Sequence, residues 1–567
     1  MIHLTMKSPR KFRIDAGPLD VSRLRTIPGT HAWPQAKPPY WTVPATIYHG
    51  VVLRNVFGED MTYDDEVRAK FVELRRGEKR RMERKNPGFE KLYDFQGVGV
   101  NRLVVAPGVI LGDEVGTGKT VQALTALGVT EGLPALVVTT RTMKLQWVDE
   151  MRKWGPFKGV PYPIVGDAGT RKKQLAAALA DPQAVVIMNW DQLRHHSSLA
   201  HYPGTVSTPK EQAPKELDAF TFKTVILDEA HRMAEPDSKW TRASWQIAHK
   251  AELVWLLTGT PTNGDYVNIW SLLHAIVPEE ASARSKWLDR YVVSVAGFKG
   301  RPEPLFLRPE TKDELFWWLD QYMLRRKIAE IPELRDAIPK VVDVRLDLEL
   351  TKEQARAYKA MKKEYMARFG DSILIETDPM VRAGRLRYIA SAMPVVDELG
   401  EVIGIEGPSN KLDAVKELLT DPEKRPMVIF TESSKVADFV QHELSTCDKK
   451  YRVEKITGDV SEGQRHAYKH QFQNDELDAL VLTSAGGEGI TLTNGACMVF
   501  FQTPHSLINY TQMKGRVPRI GSVRKLVMAY HLVSVGTNDE SVHEAQVEKK
   551  YRFEDIAGDL RRIYGSL

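Results

Sequence analysis

Short apolar runs separated by helix-length segments recur twice along this chain, and that repetition limits the fold more than any other feature. PALVVTT (134–140), AVVIMNW (184–190), TVILDEA (224–230) and LVWLLTGT (253–260) form the first series. MVIFTE (427–432), KITGD (455–459), ALVLTSA (479–485), ACMVFFQ (496–502) and VMAYHLV (527–533) form the second. A strand that is apolar throughout, instead of alternating, is buried on both faces, as parallel strands are when helices roof both sides. The expected fold class is α/β: two lobes, each a parallel sheet covered by helices.

With 567 residues the chain is too long for one core. Residues 1–85 read as a small α+β module, with strands at KFRID and YWTVP and turns between them. The first lobe is expected over 86–340 with a helical insertion, and a helical connector over 341–410, carrying TKEQARAYKAMKKEYMARF (351–369). The second lobe follows over 411–535, and terminal helices over 536–567. No apolar run approaches the roughly 18 residues of a membrane helix, so no membrane role is expected. Cys447 and Cys497 are far apart and away from His clusters, which argues against disulfides or structural zinc and fits a reducing, cytoplasmic setting.

The net charge of +5 is unevenly spread. Residues 68–85, RAKFVELRRGEKRRMERK, hold nine Lys/Arg against three Glu. Such a run is either a solvated helix or an arm that releases counterions from a nucleic-acid backbone.

LGDEVGTGKT (111–120) ends as a phosphate loop ends, but Asp113 stands where G-x-x-x-x-G-K-[ST] has its first glycine. The loop's chemistry needs backbone N–H groups and a helix N-terminus converging on anionic oxygens. Gly116, Thr117 and Gly118 form that turn, Lys119 is placed for the β/γ-phosphates, and the Thr120 hydroxyl for Mg²⁺. Downstream, TVILDEAH is an apolar strand ending in two carboxylates. Asp228 suits Mg²⁺, and Glu229 suits orienting and deprotonating an attacking water. In NYTQMKGRVPRIG (509–521), Arg516 and Arg519 are spaced to share one helical face, as candidates for neutralising γ-phosphate charge from the second lobe on closure.

This ordered set resembles the helicase-like ATPase motors of superfamily two, of the Swi/Snf type, over about residues 90–550. DEVGTGKT matches that family's form of the phosphate loop, and Gln96 in LYDFQGVGVNRL falls at its adenine-reading glutamine. ALVVTTRTMKLQWVDEMRKW (135–154), LLTGTPTNGDYVNIWSLL (256–273), YMLRRKIAEIPELRDAIPK (322–340) and LTSAGGEGITLTNGACMVFF (482–501) are similar to further motifs, the last containing Gly487 and Gly489. VMAYHLVSVGTNDESVHEAQVEKK (527–550) resembles the terminal brace. Departures are Thr139-Thr140 where Pro is frequent, Glu488, Thr491 for Asn, Pro518 between the arginines, and Ser522 for Gln.

The resemblance implies two RecA-like lobes, ATP and Mg²⁺ as cofactors, and a monomeric motor on duplex or branched DNA serving repair, recombination or fork remodelling. Backbone tracking calls for small polar groups and N–H donors. By motif position these are Arg141 and Lys144 in the first lobe, and Thr431, Thr483 and Ser484 in the second. Trp147 and Trp154 read as core residues on one helical face. Residues 12–33 with W-x-V-P (41–44) resemble the small module of annealing-helicase-like relatives, which recognise forked or gapped DNA. A strand-separating helicase on DNA or RNA, and a motor subunit of a restriction-type complex, are the alternatives.

Overall fold

The structure, a computed structural model, describes residues 1–81, 91–154, 158–261, 267–296, 302–364, 366–369, 372–375, 379–398, 401–487 and 489–547. Two compact units divide the chain, one from Met1 to Lys327 and the other from Ile328 through the last described residues.

The first unit begins with a five-stranded sheet of β1 (Ile2–Ser8), β2 (Lys11–Ala16), β3 (His31–Trp33), β4 (Tyr40–Pro44) and β5 (Met61–Tyr63), in the order β3-β4-β2-β1-β5. β5 lies parallel to β1, and the other pairings are antiparallel. Strand period two sends Ile2, Leu4, Phe12, Ile14 and Val43 to one face, all buried. The helices Ile47–Phe57 and Asp65–Arg81 cover that face, with the Phe71 ring 5.1 Å from Phe12. Thr46 caps the first of them by accepting from the His49 amide. The basic run is therefore helical through Arg81, with Arg68, Arg75, Arg76 and Lys79 exposed; its remainder, 82–85, lies outside the described residues.

This module shares a core with two later helices, Arg284–Tyr291 and Pro309–Tyr322. The Tyr48 ring stacks 4.3 Å from Trp318, and its hydroxyl lies 2.9 Å from that of Tyr291. Glu314, buried, accepts from Asn55, from both the Nε and an Nη of Arg290, and from the Tyr291 hydroxyl, at 2.6–2.7 Å.

The body of the first unit is a seven-stranded sheet. Its strands are β6 (Gly108–Leu111), β7 (Ala135–Thr139), β8 (Val160–Pro163), β9 (Ala184–Asn189), β10 (Thr224–Asp228) and β11 (Leu253–Leu257). After a hairpin of β12 (Val292–Ala296) and β13 (Pro302–Leu307), the short β14 (Met323–Leu324) joins beside β6. The order is β14-β6-β11-β10-β7-β9-β8, with every pairing parallel. Successive residues of one strand enter different cores: Leu136 and Val138 on one side, Val137 on the other. Both faces are therefore roofed, as the unbroken apolar runs require.

The second unit repeats the plan. β15 (Lys340–Leu348) is followed by the hairpins β16 (Met366–Phe369)–β17 (Ser372–Ile375) and β18 (Met393–Val396)–β19 (Val402–Glu406). Helices Lys352–Glu364 and Pro379–Ser391 lie between. Then come β20 (Met427–Thr431), β21 (Val453–Ile456), β22 (Ala479–Thr483), β23 (Cys497–Phe500) and β24 (Leu526–Ser534). The sheet order is β15-β24-β23-β20-β22-β21, again parallel throughout. Segment 341–410 thus carries helices, two hairpins and most of an edge strand of this sheet. Just beyond it, in the helix Asn410–Leu419, the buried Lys411 donates to the Phe501 carbonyl at 2.9 Å and pairs with Asp539 at 2.5 Å. Residues 538–547 are helical, and the rest of the expected brace lies outside the described residues. The α/β class with two helix-covered parallel sheets is the fold expected from the sequence.

Candidate functional site

The phosphate-loop segment leaves β6 at its carboxyl end, where parallel sheets place their ligand sites. Gly116 and Gly118 take φ of 96° and 75°, the left-handed region that glycine enters without steric cost. Gly118 then caps the helix Lys119–Thr130. A Cβ on Gly118 would come within 2.6 Å of Gln96 Nε2, so a side chain there would displace the end of Gln96. Gln96 supports the turn: its Nε2 donates to the Thr117 carbonyl at 3.1 Å, and its Oε1 accepts from the Tyr93 amide at 3.2 Å. The Lys119 ammonium bends back onto the carbonyl oxygens of Asp113 and Glu114, at 2.7 and 3.2 Å. Burial pushes its pKa down, against the pull of Glu229, Asp113 and Asp228.

Asp113, the residue that breaks the general glycine pattern, is fully buried and ion-paired with Arg326. Arg326 Nε donates to its Oδ1 at 3.0 Å, while another guanidinium nitrogen reaches the Phe95 carbonyl. The neighbouring Arg325 donates to the carbonyls of Gly112 and Gly259, at 2.8 and 3.2 Å. The Leu-Arg-Arg stretch thus clamps the phosphate loop from β14. The sequence showed the arginines but not their destination, because a separation of over 200 residues carries no local periodicity.

Asp228 and Glu229 end β10. Asp228 is buried; its Oδ2 accepts from the Thr139 hydroxyl at 2.9 Å and from Trp147 Nε1 at 3.0 Å. Burial first, then the neighbouring Glu229 charge, raises its pKa to about 6. Trp147 is a core residue as expected, and it also orients this carboxylate; Trp154, expected in the core with it, is only half-buried and donates to Glu150 at 2.7 Å. Thr139, one of the two threonines standing where Pro is frequent, supplies the second hydrogen bond. Glu229 has φ of 55°, strained for a non-glycine residue and of the kind that collects at functional sites. Its carboxylate lies 3.4 Å from His231 Nδ1, which is 3.2 Å from the Thr258 hydroxyl after β11. Burial lowers the His231 pKa to about 3, so the imidazole is neutral at pH 7.

Of the strand-contact candidates, Arg141 is exposed, whereas Lys144 is buried with its ammonium 2.8 Å from the Ile164 carbonyl. In the second unit Thr431 and Thr483 are buried: one hydroxyl donates to the Ser433 carbonyl, the other accepts from the Gly486 amide. Ser484 is half-buried at the start of the turn containing Gly487, and Gly489 takes φ of 76°. Glu488 lies outside the described residues.

The expectation that Arg516 and Arg519 share a helical face is corrected. The helix Leu507–Lys514 stops at Gly515, before either arginine, and Pro518 lacks the N–H that another turn would need. A tight turn holds the segment instead, with Ser522 Oγ accepting from the Arg519 amide and donating to the Val517 carbonyl. The Arg519 guanidinium donates to Thr491 Oγ1 at 2.6 Å and to the Gly515 carbonyl at 2.8 Å. Two of the noted departures, Thr491 and Ser522, therefore position Arg519. Arg516 is buried beside them.

A clamped phosphate loop, an acidic strand tip beside it and a second parallel lobe with its own glycine and arginine motifs define the class of two-lobed helicase-like ATPases. Residues 59–391 match the SNF2-related domain, and residues 410–521 the helicase conserved C-terminal domain. The chain belongs to the SNF2-related family. It is 25% identical over 526 residues to the human DNA excision repair protein ERCC-6, covering 85% of this chain and 34% of that one. It is also 25% identical over 466 residues to the cattle (Bos taurus) DNA annealing helicase and endonuclease ZRANB3, covering 79% and 39%. This chain thus spans well under half the length of these curated relatives. A solved SWI2/SNF2 ATPase core of Sulfolobus solfataricus in complex with dsDNA is 22% identical over 84% of this chain and 95% of that one. Its TM-score of 0.36 is too low to carry an argument.

Proposed function

We propose that this chain is an ATP-driven motor that moves along duplex or branched DNA in repair, recombination or fork processing. The observation that carries the reading is the convergence of Lys119, Asp228 and Glu229 at the carboxyl ends of β6 and β10, with Asp228 fixed by Thr139 and Trp147. Gly116 to Thr120 cradle the phosphates, and the Lys119 ammonium moves from its backbone carbonyls onto the β/γ-phosphate oxygens. Glu229 takes the proton of the attacking water. Arg516 and Arg519 neutralise charge on the γ-phosphate when the lobes close, which ties hydrolysis to motion.

The donor set fits Mg²⁺. A buried carboxylate whose pKa is raised beside a second carboxylate is an oxygen ligand short of positive charge, and hard cations take such ligands. Asp228 and the Thr120 hydroxyl would hold the ion, which supplies charge neutralisation for the phosphate oxygens.

On the DNA side, Arg141, Thr431, Thr483 and Ser484 are read as phosphate-backbone contacts. Lys144, read as one from the sequence, supports the structure beneath the contact surface through its bond to Ile164. The protein acts as an intracellular monomer in this reading. Displacement of a third strand from a triplex, with release from a simple tailed duplex as the comparison, tests it. ATP-dependent triplex displacement without tailed-duplex release is expected. Release of the tailed strand alone would replace the translocase by a strand-separating helicase.

A further inference from the structure

The helix of residues 538–547 buries one glutamine, and a buried amide is costly unless its hydrogen bonds are made. Gln546 is 3% exposed. Asp539, Val542 and Gln546, spaced i, i+3, i+7, make one buried face of that helix. Asp539 pairs with Lys411 at one end of the face. At the other, Gln546 Nε2 donates to the carbonyls of Pro504 and His505, at 2.6 and 2.7 Å. Its Oε1 is buried too, and among the described residues it has no hydrogen-bond partner. Donation is therefore what this side chain contributes, and its recipients are two adjacent carbonyls.

Those carbonyls belong to the connection from β23 to the helix Leu507–Lys514, and the connection is held along its length. Lys411 takes the Phe501 carbonyl and Arg387 the Thr503 carbonyl, at 2.9 and 2.7 Å. Gln502 accepts from the Glu432 and Ser433 amides just beyond β20, at 3.0 and 3.3 Å. Gln546 grips the stretch ahead of Ser506, which caps the helix by accepting from the Asn509 amide. Arg516 and Arg519 follow directly on the helix end. A helix this short moves as a body, so the angle at which it leaves Ser506 sets where the two arginines lie. We propose that Gln546 is a positioning residue for ATP hydrolysis: by holding Pro504 and His505 it fixes the helix that delivers the arginine motif. It acts through Arg516 and Arg519, not on the nucleotide itself. The inference rests on the reading of those arginines as neutralising γ-phosphate charge. A clasp that served stability alone would lower the melting temperature and leave the turnover of the folded protein unchanged.

The test uses the full chain and reads kcat and KM for ATP with duplex DNA present, with melting curves to check that each variant is folded. Gln546→Glu keeps the shape but sets carboxylate oxygens against two carbonyls, and Gln546→Met removes the donors without that repulsion. Gln546→Lys keeps N–H donors and gives up only the unpartnered Oε1. Gln546→Glu should lower kcat by about 10- to 100-fold, the scale of a misplacement near 1 Å, with KM for ATP within about twofold. Gln546→Met should fall in the same direction, and Gln546→Lys should recover most of the turnover. In single-turnover assays, Gln546→Glu should cost nothing further once Arg516→Ala/Arg519→Ala has removed the groups it positions. Wild-type kcat in folded Gln546→Glu and Gln546→Met would overturn the inference, as would a folded Gln546→Lys no faster than Gln546→Met. An undiminished further loss in the background lacking both arginines would overturn it too. Wild-type turnover in Arg516→Ala/Arg519→Ala itself would instead strike the reading of the arginine motif, and this inference with it.

Discussion

At the residue scale the most informative position is Asp113. Read alone, it is a missing glycine; in the structure it is the buried anchor that Arg326 holds. Breaking a buried ion pair by removing one partner leaves an uncompensated charge and costs about 3–5 kcal/mol. Arg326→Ala should therefore lower the melting temperature of the first unit and weaken nucleotide binding together. A variant with wild-type melting and nucleotide affinity would show the clamp to be idle. Glu229→Gln should keep ATP binding and lose turnover by at least about 100-fold, the scale of a general base, in a quenched-flow hydrolysis assay. The buried His49 and the half-buried His274 are pushed down to about 3 and about 4 by desolvation. Because their folded pKa values lie below the unfolded value near 6.5, they stay neutral in the native state while the unfolded chain takes up protons. The first unit should lose stability as pH falls from 6.5 towards 4, by up to about 1.4 kcal/mol per pH unit for each. His49→Gln should flatten that dependence in pH-resolved melting curves.

At the element scale, much of the fold was legible and its long-range ties were not. Each apolar run from 134 to 260 and from 427 to 533 became a parallel strand, because a strand buried on both faces must be apolar throughout. The glycine-rich turn was equally readable, since φ of 96° and 75° admit little else. What escaped were pairings between distant segments: Arg326 with Asp113, Trp147 with Asp228, and Thr491 with Arg519. Spacing reports what lies on one face of one element, and these partners lie on different elements. The same limit explains Lys144, whose motif position gave no sign that its ammonium folds inward to Ile164. For Arg516 and Arg519 the periodicity misled, since Gly515 and Pro518 end the helix before them. Thr491→Val, which keeps the shape but removes the acceptor for Arg519, should reduce turnover while leaving nucleotide affinity within about twofold, less than the worth of one net hydrogen bond. Equal turnover in a steady-state assay would remove Arg519 from the catalytic role.

At the scale of the whole molecule, the candidate site residues divide between the two units. The phosphate loop and acidic strand tip belong to the first, the glycine and arginine motifs to the second. The amino-terminal module is not a loose appendage, since Tyr48, Asn55 and Glu314 bind it into the core of the first unit. Glu314→Gln should therefore destabilise the whole first unit and not the module alone, and a single cooperative loss in a thermal melt would show it. The central claim is that hydrolysis at Lys119 and Glu229 is driven by DNA. The measurement that tests it most directly is the steady-state ATPase rate against single-stranded, duplex, forked and four-way DNA, with RNA alongside and Glu229→Gln as the control. Strongest stimulation by duplex or branched DNA, abolished in Glu229→Gln, is the predicted result; strongest stimulation by RNA, or turnover retained in Glu229→Gln, would contradict it.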